Sequence, residues 1–205
     1  MAKLYFRYGA MNSGKSTALL QAAYNYEERG QRVLLAKPSI DTKGETTIVS
    51  RLGVSREVDL LVGPEVDLFD LLGDLVARAE ASGEAPISCL LVDESQFLAP
   101  AQVDDLLKIA VLLSIPVLAY GIRTDFRTLS FPGSRRLLEI AHSLEELKTI
   151  CRCGKKAMFN GRTVDGEFVF SGEQVAIDGV EVGYEALCPA CYLAAGGALP
   201  RAAER

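Results

Sequence analysis

The chain has 205 residues, 49% of them apolar and 24% charged, with a formal net charge of −5. That length holds one core domain and a small appendage, and the acidic balance argues against a broad nucleic-acid-binding face. No apolar run approaches a bilayer span, and the first residues read as a strand rather than a signal peptide, so the expected setting is the cytoplasm.

Leu4 to Tyr8 is predicted as the first strand. Gly9-Ala10-Met11-Asn12-Ser13-Gly14-Lys15-Ser16 follows it, and Thr17 to Glu28 reads as an amphipathic helix stopped by Arg29-Gly30. Strand, glycine-rich loop and helix, at the spacing G-x-x-x-x-G-K-S, is the arrangement of a phosphate-binding loop. Successive N–H groups of residues 9–16 line a concavity for phosphate oxygens, and the helix N-terminus adds a favourable dipole. Gly9 and Gly14 permit the tight turns, Lys15 reaches the β- and γ-phosphates, and the Ser16 hydroxyl suits the Mg²⁺ that accompanies ATP.

Arg32 to Ala36 is the next strand, ended by Lys37-Pro38, and residues 39–57, polar and rich in Thr and Ser, are expected as one long mobile loop. Val66 to Ala81 carries Leu68, Leu71, Leu72, Leu75 and Val76 at helical spacing. Cys89 to Val92 is a continuous apolar run, as a parallel sheet covered on both faces requires. The acids that close it give the second motif. Asp93 is the metal-side partner of Ser16, and Glu94 is a second carboxylate placed to take a proton from an attacking hydroxyl or water. Pro100 opens a helix, Pro116 to Tyr120 is a further buried strand, and Arg135 to Leu144 is a predicted helix. The alternation specifies an α/β fold, a P-loop NTPase-like parallel sheet flanked by helices, with ligands at the carboxyl ends of the strands. Phe97, Phe126 and Phe131 fall in loops at that rim, where aromatic rings stack on a flat base. Arg51, Arg123 and Arg127 are candidate phosphate supports. The single histidine, His142, falls late in a predicted helix and is assigned no chemistry, which argues against a His-based triad.

Beyond residue 148 the texture changes. Cys151-x-Cys153-Gly154 and Cys188-Pro189-Ala190-Cys191 each sit on a turn, and short β-like runs separate them. Four soft thiolates suit a tetrahedral Zn²⁺ and leave no open position, so the expected ion is structural. An iron–sulfur cluster or four unrelated thiols are the alternatives. The fifth cysteine, Cys89, reads as a small core residue. The expected organisation is a nucleotide-binding domain over 1–148, a zinc-binding domain over 149–193 and a disordered tail over 194–205.

A phosphate loop specifies nucleoside triphosphate use but not the acceptor, and the chain lacks the Asn-Lys-x-Asp segment that reads guanine. Five segments narrow the choice: 9–17, Val92 to Phe97, Tyr120 to Phe126, Glu146 to Gly154 and the closing Cys-Pro-Ala-Cys. In order and spacing, from about Lys3 to Tyr192, they resemble type II thymidine kinase in its bacterial form. The first cysteine pair is C-x-C here, where other branches have C-x-x-C. The resemblance implies phosphorylation of the 5′-hydroxyl of thymidine or deoxyuridine by ATP in nucleotide salvage. It implies Glu94 as general base, Asp93 and Gln96 among the ATP and metal contacts, and Phe126 against the pyrimidine. Gln174, Val175, Ala176, Ile177, Asp178 and Tyr184 match the family's lasso loop over the nucleoside. A threonine near the base in some relatives aligns with Asn160. A homotetramer, a structural zinc and feedback binding of thymidine triphosphate come by the same resemblance. The competing readings are a nucleic-acid-stimulated ATPase with a zinc ribbon, whose basic residues would be Arg152, Lys155, Lys156 and Arg162, and a kinase of a different nucleoside.

Overall fold

The computed structural model describes residues 1–40, 46–172, 174 and 182–199. Its centre is a six-stranded sheet in which every pairing is parallel. The strands are β1 (Leu4–Tyr8), β2 (Arg32–Pro38), β5 (Leu60–Val62), β6 (Ile87–Val92), β7 (Val117–Gly121) and β8 (Ser143–Glu146), in the order β5-β2-β6-β7-β1-β8. Strict alternation divides the inner strands between two cores. Leu34, Ala36, Leu90, Val92, Val117 and Ala119 face one side. There they meet α2 (Leu68–Ser82), α3 (Pro100–Leu112) and α4 (Pro132–Ile140) through Leu72, Val103, Leu106, Ile109 and Leu137. Val33, Leu35, Cys89, Leu91, Leu118 and Tyr120 face the other side, against Leu19, Leu20 and Ala23 of α1 (Lys15–Glu27). Burial on both faces is the reason these strands are unbroken apolar runs. Cys89 is fully buried, and burial pushes its thiol up to about 12, which makes it an inert core group.

Three expectations change. The stretch 39–57 holds an antiparallel hairpin, β3 (Thr47–Val49) with β4 (Ser55–Glu57), rather than an unbroken loop. Ile48 anchors it in the core beside α1, and Arg56 pairs with Glu27 of that helix at 2.6 Å. Residues 41–45 lie outside the described residues. The helix expected over 135–144 begins earlier, at Pro132, and stops at Ile140, because β1 pairs with residues 143–146 as β8. His142 therefore lies between helix and strand. Its Nδ1 accepts from the Leu4 N–H at 3.1 Å, and its own N–H donates to the Leu4 carbonyl at 2.9 Å, a structural task.

The remaining elements are β9 (Thr149–Ile150), β10 (Lys156–Ala157), β11 (Phe159–Val164), β12 (Glu167–Val169), β13 (Val182–Leu187) and α5 (Pro189–Ala194). β11 is the middle strand of an antiparallel sheet, between β12 and β13, and β9 and β10 form a hairpin. Cys151, Ala157, Ala186, Leu187, Cys188 and Tyr192 form a third apolar cluster that also takes in Ala10 of the phosphate loop. At the expected tail, the N–H groups of residues 195–197 close the last turn of α5, and 200–205 lie outside the described residues.

Candidate active site

The loop between β1 and α1 is built from left-handed residues. Asn12 has φ 67° and Gly14 φ 77°, and no side chain caps the helix that Gly14 starts. The first N–H groups of α1 are thus left to an external acceptor, which is the electrostatic need of an anion site. Gly9 is obligatory for space: a Cβ there would stand 2.4 Å from Ser13 Oγ and 2.5 Å from the Leu147 carbonyl. Lys15 is buried and folds back so that Nζ donates to the Ala10 carbonyl at 3.1 Å. Burial pulls its pKa down, and the cation of Arg51 pulls the same way, against the attraction of Glu94 and Asp93.

β6 delivers its two acids to this loop from across β7. Asp93, 5% exposed, accepts from Ser16 Oγ at 3.1 Å and from the Glu94 N–H at 3.0 Å. Burial and then the Glu94 charge push its carboxyl up to about 7. Glu94 has φ 46° and ψ 38°. That left-handed turn swings the chain out of the strand into a 3₁₀ turn, Ser95–Phe97. The turn folds over the end of β7, with Ser95 Oγ donating to the Tyr120 carbonyl at 2.9 Å. Gln96, expected among the ATP contacts, has both ends of its amide engaged inside the protein. Nε2 donates to Glu94 Oε2 at 2.5 Å, and Oε1 accepts from the Ile122 N–H at 3.2 Å. In this arrangement it holds the Glu94 side chain.

The aromatic residues expected at the rim sit deeper than the sequence suggested. Phe126 and Phe131 are buried, and Phe131 meets half-buried Phe97 edge-on at 5.5 Å. One face of Phe126 is covered by the Arg162 guanidinium, 3.8 Å from the ring centroid, and its carbonyl accepts from Tyr192 Oη at 2.8 Å. Arg127 is engaged with Asp125 at 3.1 Å, and Arg123 lies over the Tyr8 ring at 5.9 Å. Gln174 donates to Asp125 Oδ2 at 3.2 Å, and Tyr184 lies on β13 opposite Arg162. Val175, Ala176, Ile177 and Asp178 lie outside the described residues. Asp125 carries no sequence signal of its own: a buried carboxylate that gathers Arg127, the Leu129 N–H and Gln174. Asn160 is indicated by the family resemblance alone, and its hydrogen bonds to the Met11 N–H and the Thr124 carbonyl carry no sequence signal.

The four cysteine sulfurs lie within 4.8 Å of one another. A tetrahedral zinc with bonds of roughly 2.3 Å needs sulfurs about 3.8 Å apart, so the set fits one ion. Cys153 and Cys188 are 3.5 Å apart, and the Cys191 N–H points at Cys188 Sγ at 3.4 Å. Burial raises the Cys151 thiol, but N–H groups of Cys153 and Cys188 outweigh it and bring it to about 6. The other three thiols push Cys191 up to about 12.

Loop and sheet together put the chain in the class of P-loop nucleotide-binding α/β proteins. The family model described as thymidine kinase matches residues 2–192. A thymidine kinase of Legionella pneumophila (strain Lens) is 50% identical over 194 residues, 94% of this chain and 90% of the relative. Those of Ruegeria pomeroyi and Lactococcus lactis are 45% and 43% identical, covering 92% and 94% of this chain and 92% and 97% of their own. The chain belongs to the thymidine kinase family. A likeness to the Pif1 helicase of Candida albicans, at TM-score 0.40 and 17% identity over 74% of this chain and 37% of that one, is too slight to bear on fold or function.

Proposed function

We propose that the chain transfers the γ-phosphoryl group of ATP to the 5′-hydroxyl of thymidine, with deoxyuridine as a second acceptor. The observation that carries this reading is the juxtaposition of Lys15, the Ser16–Asp93 pair and Glu94 at the ends of β1 and β6. Mg·ATP occupies residues 9–16 as substrate, with Ser16 and Asp93 on its metal side. Glu94, steadied by Gln96, accepts the proton of the 5′-hydroxyl as that oxygen attacks in line. Lys15 offsets the charge that develops on the phosphoryl oxygens. The loop after β7, with Phe126, and the segment around Gln174 and Tyr184 form the nucleoside side.

Cys151, Cys153, Cys188 and Cys191 would hold one zinc ion, which would supply a coordination cross-link and no reactive position. The family likeness further supports a cytoplasmic homotetramer that binds thymidine triphosphate as a feedback ligand. A division at 148/149 between nucleotide and zinc domains fits the apolar cluster around the cysteines, to which, among the described residues, Ala10 alone comes from before residue 149. The family match and the acidic balance leave the nucleic-acid-stimulated ATPase reading without support. ADP release should depend on thymidine or deoxyuridine when the chain is offered Mg·ATP with each nucleoside in turn. Turnover driven by DNA, or by purine nucleosides alone, would overturn the assignment.

A further inference from the structure

The middle strand of the cysteine-bearing sheet reaches two loops of the parallel sheet at once. Asn160 on β11 is 2% exposed, and both ends of its amide are used. Oδ1 accepts the Met11 N–H of the phosphate loop at 2.7 Å, and Nδ2 donates to the Thr124 carbonyl, in the loop after β7, at 2.9 Å. Chemistry fixes the amide's orientation: a backbone N–H needs an acceptor and a carbonyl needs a donor, so no flipped amide and no isosteric carboxylate serves both. Arg162, two residues on and so on the same face of β11, covers Phe126 in the same loop. Gly161 between them points the other way, where a Cβ would meet Phe168 at 2.6 Å and Leu187 at 2.8 Å. Asn160 also lines the cleft between the two loops with Gly9, Ala10, Arg123 and Thr124.

We propose that Asn160 is a positioning residue for phosphoryl transfer, a crossbar that fixes the phosphate loop at Met11 relative to the nucleoside-side loop at Thr124. The inference rests on the kinase reading above and deepens it by naming what sets the separation of the two substrates. Asn160 touches neither reacting atom. It acts through two backbone groups, one in the phosphate loop and one in the loop after β7. The effect of losing it falls on nucleotide affinity and nucleoside KM more than on kcat, because Lys15 and Glu94 keep their own partners.

The test compares the parent with Asn160→Ala and Asn160→Asp. Binding of the Mg²⁺ complex of the imido analogue of ATP is titrated without nucleoside, exchange of the Met11 amide is followed, and thymidine KM and kcat are measured. Asn160→Ala should weaken the analogue about tenfold, speed Met11 exchange and raise thymidine KM. Asn160→Asp keeps the acceptor and loses the donor, so the Met11 amide should stay protected and the analogue Kd should stay within about threefold of the parent, while thymidine KM rises as in the alanine variant. Parent-like Kd and KM in Asn160→Ala would overturn the proposal, as would an Asp variant no better than Ala for the analogue. Should the alanine variant fail to fold, a parent-like thymidine KM in Asn160→Asp overturns it alone. A parent chain that binds no analogue would instead refute the kinase reading itself.

Discussion

Glu94 occupies left-handed backbone space, which costs a non-glycine residue roughly 1–2 kcal/mol. Its N–H then meets the Asp93 carboxylate, and Gln96 holds its side chain. Strain of this kind at a strand end persists where surrounding contacts over-determine it, and here those contacts hold a carboxylate whose charge acts on Lys15. Asp93 makes a pH prediction. Its carboxyl stands at about 7 in the fold, against about 3.9 in an unfolded chain. The folded state therefore binds more protons between those values. The resulting stability is full below about pH 4 and is lost as pH rises through about 7. Asp93→Asn cannot ionise, so the melting temperature of the ligand-free variant should fall less than the parent's between pH 5 and 8. A variant whose melting curve kept the parent's full pH dependence would show that Asp93 is not the buried acid described.

At the scale of elements, catalytic geometry depends on how tightly the 3₁₀ turn after β6 covers the end of β7. Gly121 makes this possible: a Cβ there would stand 2.8 Å from both Gln96 Oε1 and Ser95 Oγ. Gly121→Ala should displace Gln96 and loosen Glu94, lowering kcat by about tenfold and stability by about 1–3 kcal/mol. Steady-state kinetics with a denaturant titration would check this, and unchanged kcat would remove Gln96 from its supporting role. The phosphate loop and the acid-ended strand were readable in the sequence because their chemistry uses contiguous residues at fixed spacing. The β3–β4 hairpin was not, because its strands are three residues long and only Ile48 between them is a buried apolar residue. β8 was not, because it is an edge strand whose Leu144 fell into helical register with α4. Asp125 was hidden, and Asn160 legible only through the family resemblance, for a different reason. A buried polar side chain takes its role from its partners, and those of Asn160 lie 149 and 36 residues away.

For the whole molecule, the cysteine-bearing unit and the phosphate loop share one apolar cluster. Ala10 belongs to the same cluster as Cys151, Cys188 and Tyr192, and Thr149 Oγ1 reaches the Asn12 carbonyl at 3.4 Å. A zinc ion at the cysteines would therefore stabilise the back of the nucleotide site as well as its own sheet. Cys188→Ser should lose most of its zinc, melt at lower temperature and show an ATP KM raised several-fold, read by metal analysis, calorimetry and kinetics. Full zinc content with parent stability would refute the quartet. Parent-like ATP KM in a zinc-free, folded variant would separate the two units.

The arrangement at the end of β6 is tested most directly by Glu94→Gln, which keeps the size of the side chain and removes its capacity to accept a proton. Pre-steady-state phosphoryl transfer from Mg·ATP to thymidine should slow by roughly 10²–10⁴-fold. Thymidine KM, ATP-analogue affinity and melting temperature should stay close to the parent's. Transfer at the parent's rate in a folded Glu94→Gln protein would contradict the assignment of Glu94 as the base.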